Sequence, residues 1–277
     1  MKKKLIRVAH SPDSDDAFMF YALARGKIET GDFEFVNELH DIETLNQAAC
    51  VGTYEVSAVS IHAYAYLHEK YSLLNCGASM GEGYGPIVVS RKPVGHAELR
   101  EIVVAVPGLR TSALLALRLL EPSARYHVVP FDQIIPAVEA GDYQAGLIIH
   151  EGQLTFKQHN LHKVVDLGEW WMQTTGLPLP LGGNVIRRDL GDETIAQVSR
   201  ILRESIEYSL ANREPALDYA QEFGRGLSTD QADQFVGMYV NRRTVDYGPD
   251  GRRAVQLFLD RGFEAGIIPS RVAVEFL

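Results

Sequence analysis

The chain has 277 residues, 46% of them hydrophobic and 23% charged, with a formal net charge of −9. This is ordinary globular composition, long enough for two modest lobes, and it excludes a disordered or fibrous chain. The acidic balance leaves no surplus of cations to neutralise phosphates, which argues against nucleic acid as a partner.

Residues 5–9 predict a first strand, and the loop His10-Ser11-Pro12-Asp13-Ser14-Asp15-Asp16 leads from it into a helix over 17–24. Proline and small polar residues before an apolar run are helix-start signals. The basic Met1-Lys2-Lys3-Lys4 precedes only the short stretch 5–9, not the roughly 7–15 apolar residues of a secretory signal core. No run approaches the ~20 apolar residues of a membrane span, so the expected setting is the cytoplasm, with no membrane partner. A strand over 33–36, a helix over 44–50, a strand over 55–60 and a helix over 61–67 continue a β-α-β-α alternation, the sign of a parallel sheet. Cys50 and Cys76 are too far apart for a CxxC motif and too few for a disulfide scaffold, and read as buried thiols.

A glycine-rich segment over 77–86 leads to a strand over 87–90, broken by Arg91-Lys92-Pro93. A second α/β unit follows: strand 101–106, helix 111–120, strand 127–129, helix 131–140, strand 145–149 and strand 164–167. The turn over 176–183 leads to Asn184-Val185-Ile186-Arg187, and from residue 192 the pattern becomes amphipathic helices over 192–210, 214–223, 228–239 and 251–262. The expected architecture is two α/β lobes with mixed, mainly parallel sheets and helices on both faces. The larger lobe takes 1–92 and 186–277, the smaller 93–185, with crossings near 91–94 and 184–188 and a ligand cleft between the lobes.

In open α/β sheets ligands meet the carboxyl ends of strands. The apolar strand over 145–149 stops at His150-Glu151, which makes His150 a candidate proton carrier near neutral pH, against the commoner role of a histidine bonded to a nearby carbonyl. Ser60 stands at a strand end and a helix head, as a cap or a ligand contact. Pro107-Gly108-Leu109-Arg110-Thr111-Ser112 offers backbone N–H groups and two hydroxyls as a carboxylate or phosphate seat, although one of Thr111 and Ser112 is expected simply to cap its helix. Asp13, Asp15 and Asp16 favour capping over metal binding, since hard cations need more oxygen ligands. Asp41-Glu43 and Tyr84-Gly85 are further candidates, against the commoner role of solvated loop positions, and Trp170-Trp171 could form an aromatic wall, against the commoner role of core or hinge packing. No GxSxG, P-loop, HExxH or dinucleotide fingerprint is present.

Taken together, His10-Ser11-Pro12 with Asp16-Ala17-Phe18-Met19-Phe20-Tyr21-Ala22-Leu23, Asp41-Ile42-Glu43-Thr44-Leu45-Asn46 and Gly81-Glu82-Gly83-Tyr84-Gly85-Pro86 carry a resemblance. So do Val104-Ala105-Val106-Pro107-Gly108, Arg110-Thr111-Ser112-Ala113, Gly146-Leu147-Ile148-Ile149-His150-Glu151, and Trp170-Trp171 with Thr175-Gly176-Leu177-Pro178-Leu179-Pro180-Leu181-Gly182. In this order, over nearly the whole chain, they resemble the menaquinone-biosynthesis enzymes of the futalosine pathway, the 1,4-dihydroxy-6-naphthoate synthase family. The resemblance implies a fold like the type II periplasmic solute-binding proteins. It implies cleavage of cyclic dehypoxanthinyl futalosine, the small-molecule substrate, to 1,4-dihydroxy-6-naphthoate and a three-carbon fragment.

It places the family's catalytic histidine on His150 and its substrate-contacting segments on Ala58-Val59-Ser60 and Thr111-Ser112. Ala58 stands where a family member has lysine, and Ser14-Asp15-Asp16-Ala17 where it has a Pro-Asn-Asp-Thr run. The scheme calls for no metal and no organic cofactor. A non-catalytic carboxylate-binding protein and the sibling chorismate dehydratase are the competing readings; the Gly-Leu-Ile-Ile-His-Glu run favours the naphthoate enzyme over the latter. The sequence carries no signal for oligomeric state.

Overall fold

The computed structural model describes residues 3–224 and 227–277; Met1 and Lys2 of the basic start lie outside the described residues. The chain opens with β1 (Lys4–His10), α1 (Ser14–Ala24), β2 (Phe33–Leu39), α2 (Ile42–Val51), β3 (Val56–Ser60), α3 (Ile61–Tyr64), β4 (Tyr71–Leu73) and β5 (Ser79–Gly81). It continues through β6 (Ile87–Ser90), β7 (Val103–Val106), α4 (Ser112–Leu120), β8 (Arg125–Val128), α5 (Ile134–Ala140), β9 (Ala145–Ile148), α6 (Gly152–Thr155) and β10 (His162–Asp166). It then returns with α7 (Leu167–Thr175), β11 (Leu179–Arg187) and the helices α8 (Asp192–Ala211), α9 (Arg213–Gln221), α10 (Thr229–Tyr239), α11 (Arg242–Val245) and α12 (Gly248–Glu264).

One sheet runs β2-β1-β3-β11-β4, with β5 also on β11, and the other runs β10-β6-β9-β7-β8. Each is an α/β sheet with a parallel set, β2-β1-β3 in the first and β8-β7-β9 in the second. The expected two-lobed α/β fold with mixed sheets is the one observed, but antiparallel pairing takes a larger share than expected. The reason is the chain's two crossings. β6 and β11 are the strands entered just after each crossing, and both run antiparallel to their neighbours.

The crossings themselves lie earlier than the sequence placed them. β6 pairs in the second sheet, so the chain leaves the first lobe before Ile87, not at 91–94. β11 belongs wholly to the first sheet, so the return is complete by Leu179, not at 184–188. The boundaries 1–92, 93–185 and 186–277 therefore move. Arg91-Lys92-Pro93 ends a strand without ending a lobe, and residues 184–187 continue a nine-residue strand that began in the proline-rich turn. Pro180 is tolerated there because the β5–β11 pairing shifts register between Pro180 and Gly182. The two crossings touch at Gly85 and Gly168: a Cβ on Gly168 would stand 1.9 Å from the Tyr84 carbonyl oxygen.

Helices cover both faces of the first sheet. α1, α8 and α9 bury Phe18, Phe20, Val198, Leu202 and Ile206 against Ile6, Val8 and Val56, while Leu45 of α2 packs on Ala9 and Ala58. α12 lays Val255, Phe258 and Leu259 into a cluster that includes Trp171 of α7 and Leu114 and Leu117 of α4, so one core runs through both lobes. Burial of this many large aliphatic and aromatic side chains, each contributing about 1.5–3 kcal/mol, packs the lobes against one another. Trp171 is fully buried, donates its Nε1 to the Pro178 carbonyl at 3.1 Å and meets Phe258 edge-to-face, the packing role expected of it. Among the described residues no helix is long and apolar enough to cross a membrane.

Candidate active site

A cavity of about 120 Å³ lies where the two lobes meet. Its first-lobe wall comes from the carboxyl end of β3 (Ala58, Val59, Ser60), from Leu181 to Asn184 of β11, and from Gly77 and Ser79. Ser11, Asp13, Asp15 and Asp16 close one side with Phe235 and Tyr239 of α10, and the second lobe supplies Pro86, Thr111, Ser112, Ala113 and Ile149. Five of the residues expected in the site, Ala58, Val59, Ser60, Thr111 and Ser112, are thus brought together. A wider groove of about 930 Å³, bordered by Tyr84, Gln153, Lys157 and Lys163, contains none of them.

Of the two hydroxyls of the second lobe, one caps its helix as expected and the other bridges the lobes. Thr111 is the N-cap of α4: its Oγ1 accepts from the Leu114 amide at 3.2 Å and donates to the Gly108 carbonyl. The Ser112 hydroxyl accepts from the His62 amide at 3.2 Å and donates to the Leu181 carbonyl at 2.5 Å, a bridge from the second lobe to the first. Both side chains are committed to the protein. What this helix start offers a ligand is its first-turn amides, at Ser112 and Ala113, which have no helical carbonyl to bond and sit at the positive end of the dipole. Ser60 also lines the cavity. Asn46 of α2, fully buried, donates Nδ2 to the Ser60 hydroxyl at 3.1 Å and accepts the Ser60 amide at 2.9 Å, which leaves the hydroxyl proton for another acceptor.

His150 follows β9, but the cavity wall on this loop is its neighbour Ile149. The ring lies edge-on to Phe131, with centroids 5.6 Å apart, and Nδ1 accepts the Gly152 amide at 3.0 Å. In the neutral ring this bond puts the proton on Nε2. Glu151 is buried and reaches across to the first lobe, where its Oε1 accepts from the Ser14 hydroxyl at 3.2 Å and the Ser14 amide at 3.5 Å, at the start of α1. The helix is therefore capped from the opposite lobe. Asp16 instead accepts the Ser11 amide at 2.8 Å and ties the loop to itself, while Asp13 accepts the Ser11 hydroxyl.

Charge divides the cavity in two. Burial in the cleft pushes the Asp15 carboxyl well above the usual range, reinforced by Asp16, Asp13 and Glu151 nearby. Burial also raises Asp16, against the lowering effect of the Ser11 amide. Tyr239 is raised by burial and donates to Gln153 of the second lobe at 2.7 Å. This end can hold and exchange protons. Elsewhere the lining offers neutral donors, the Ser60 hydroxyl, the α4 amides and the side-chain amide of Asn184. Among the described residues no group of His, Cys, Asp and Glu is disposed to hold a metal ion. Asp41, expected in a solvated loop, caps α2 through the Glu43 and Thr44 amides, and Glu43 accepts the Arg110 amide of the second lobe at 3.2 Å.

Asn46, Asn184 and Tyr239 carry no role in the sequence reading. The available signal for Asn46 was a polar residue on the apolar face of α2, beside Leu45 and Ala49.

The two-lobed α/β fold with a cavity between its lobes is the fold of the periplasmic binding proteins. The alkanesulfonate-binding protein SsuA from Xanthomonas axonopodis shares the fold at a TM-score of 0.75 and 12% identity, each chain fully covered. A Candida albicans protein described as having the generic periplasmic binding protein fold aligns at a TM-score of 0.69 and 10% identity, over 98% of both chains. Sequence takes the comparison further. Residues 6–264 match the family model described as menaquinone biosynthesis, and the chain belongs to that family. It is 41% identical to the 1,4-dihydroxy-6-naphthoate synthase of Thermus thermophilus, over 90% of this chain and 91% of that one. It is 36% identical to the synthase of the same name from Streptomyces coelicolor, over 98% and 97%. The crystal structure of protein AF1704 from Archaeoglobus fulgidus superimposes at a TM-score of 0.91 with 44% identity, covering 95% of this chain and 98% of that one.

Proposed function

We propose that the protein is a carbon–carbon lyase of menaquinone biosynthesis, a 1,4-dihydroxy-6-naphthoate synthase. Its reaction cleaves cyclic dehypoxanthinyl futalosine to 1,4-dihydroxy-6-naphthoate and dihydroxyacetone. The observation that carries this reading is the 36–41% identity to two such synthases across 90–98% of the chain, a span that takes in both lobes. The cavity's two-ended chemistry supports it. A substrate with a carboxylate on a ring system and hydroxyls on a sugar-derived ring fits a site with neutral donors at one end and proton-exchanging carboxyls at the other.

Cleavage of the retro-aldol kind needs a base for a hydroxyl or C–H proton and stabilisation of the developing anion. His150 takes the base role in this scheme. To do so it must release the Gly152 amide from Nδ1, the one basic nitrogen of this tautomer, so a shift of the turn at residues 149–152 on substrate binding is part of the reading. Ser60 and the amides of Ser112 and Ala113 hold the carboxylate. No metal or organic cofactor enters.

The direct test is incubation of purified protein with cyclic dehypoxanthinyl futalosine while following the naphthoate chromophore. His150→Asn should bind substrate and fold as before, yet turn over roughly 10²–10⁴-fold more slowly. No product from the wild type would overturn the function. Undiminished turnover in the variant would remove His150 from the mechanism and leave the function standing.

A further inference from the structure

Antiparallel pairing of β11 with β3 sets Asn184 opposite Ala58 and Gly182 opposite Ser60. Side chains two residues apart on a strand share a face, so the Asn184 amide and the Ser60 hydroxyl belong to the same face of the sheet, and both residues line the cavity. Asn184 is 1% exposed, and its Nδ2 has no hydrogen-bond partner among the described residues. Buried donors without acceptors are rare and costly, and each calls for an account. Gly77 supplies part of it. A Cβ at that position would stand 2.0 Å from the Asn184 Nδ2, so any larger residue would displace the amide. The left-handed backbone at Gly77, φ +83°, favours glycine there as well.

The ligand group that satisfies Nδ2 must be an acceptor. The residues lining the cavity include no lysine or arginine, so an anionic ligand group is held by neutral donors alone. The donors nearest Asn184 in the cavity wall are the Ser60 hydroxyl, on the same sheet face, and the first-turn amides of α4, and such a group binds beside them. We propose that Asn184 is a substrate-binding residue whose Nδ2 donates to the carboxylate of the ring system, with Gly77 conserving the space that this amide needs. The inference rests on the function proposed above and adds to it the group that selects for the acid.

Two probes separate the carboxylate from the ring: 2-naphthoate, and 1-naphthol, which lacks the carboxylate. Affinities for both are measured by calorimetry with the wild type, Asn184→Ala and Asn184→Asp. Asn184→Ala should bind 2-naphthoate about 10- to 100-fold more weakly, as expected for loss of a hydrogen bond to a charged group, and 1-naphthol as before. Its melting temperature should stay level or rise, because the deleted donor had no partner in the protein. Asn184→Asp should lose 2-naphthoate binding further, through carboxylate repulsion. Equal weakening of both probes, or a lowered melting temperature with unchanged preference for the acid, would assign Asn184 to strand packing and overturn the proposal. Wild-type protein that turns over the cyclic futalosine while both variants keep full affinity for 2-naphthoate overturns this assignment alone. Wild type that neither binds 2-naphthoate nor turns over substrate overturns the function, and this inference with it.

Discussion

Replacing Asn46 with alanine tests how the first lobe presents Ser60. The Asn46 side chain is fully buried and makes two bonds to one residue, Nδ2 to the Ser60 hydroxyl at 3.1 Å and Oδ1 from the Ser60 amide at 2.9 Å. Asn46→Ala removes the only side-chain acceptor of an amide at the end of an interior strand. A buried N–H left without an acceptor costs about 1–3 kcal/mol, and the lost bond to the hydroxyl costs about 1 kcal/mol more. The expected loss is therefore roughly 2–4 kcal/mol in urea unfolding, with an unchanged denaturant slope. A loss below about 0.5 kcal/mol, the range of ordinary surface changes, would refute the reasoning and mean that the Ser60 amide finds another acceptor. Asn46→Asp separates stability from function. One carboxylate oxygen still takes the Ser60 amide while the other draws the hydroxyl proton away from the cavity. That variant should keep most of its stability and bind a naphthoate ligand about tenfold more weakly, the effect of one lost hydrogen bond. If it binds as the wild type does, the Ser60 hydroxyl is not a donor to the ligand.

Burial lowers His10 and His62 from 6.5 to about 4, so the native state holds both rings neutral. The stability this gives is present in full above pH 6.5 and is lost as pH falls towards 4, by about 3 kcal/mol for each ring; His62→Gln should remove its share from the acid limb of a pH–stability curve, and an unaltered limb would contradict the assignment. Asp15 and Asp16 act with the opposite sign, because their raised values let the native state bind protons that the unfolded chain releases, so Asp16→Asn should steepen the acid loss. Gly168→Ala places a Cβ 1.9 Å from the Tyr84 carbonyl oxygen, where the two crossings meet, and should cost about 1–3 kcal/mol by overpacking; a neutral result in thermal melts would mean that the crossings slide freely.

Strands and helices whose signal is local were legible in the sequence; pairings that depend on distant segments were not. The β-α alternation over the first 60 residues and the helices after residue 192 follow from hydrophobic periodicity. β5 and β11 were missed or shortened because they contain glycine or proline, and β4 because it is only three residues long; the strand character of β4 and β5 comes from pairing with β11 about 100 residues away. The crossings were misplaced for the same reason: periodicity marks Ile87–Ser90 as a strand and says nothing of which sheet it joins. In the site, strand ends picked out Ser60, Thr111, Ser112 and His150, since chain position alone locates them. The direction of each side chain was beyond reach. Thr111 and Ser112 spend their hydroxyls on Gly108 and Leu181, and the orientation of the His150 ring depends on the Gly152 amide two residues on and on Phe131.

The contacts that join the lobes are also the contacts that shape the cavity. The Ser112 hydroxyl bridges the His62 amide and the Leu181 carbonyl, which sets the α4 amides beside β11. Glu43 takes the Arg110 amide at a point where Gly108 admits it closely, since a Cβ there would stand 2.3 Å from the Glu43 Oε2. Glu151 reaches Ser14 at the start of α1, and Gln153 meets Tyr239 of α10, so the loop that bears His150 is held to the first lobe by groups on either side of Gly152. An opening of the lobes would break all of these together. It would move the donors of α4 away from Ser60 and Asn184, and the His150 loop away from Asp15 and Asp16. A site divided in this way is complete only when closed. In the reaction proposed above, closure would exclude water from the developing anion as it brings the carboxyl groups of the aspartate loop against the second lobe. A receptor fold is suited to that chemistry because the motion that captures a ligand is the same motion that builds the site.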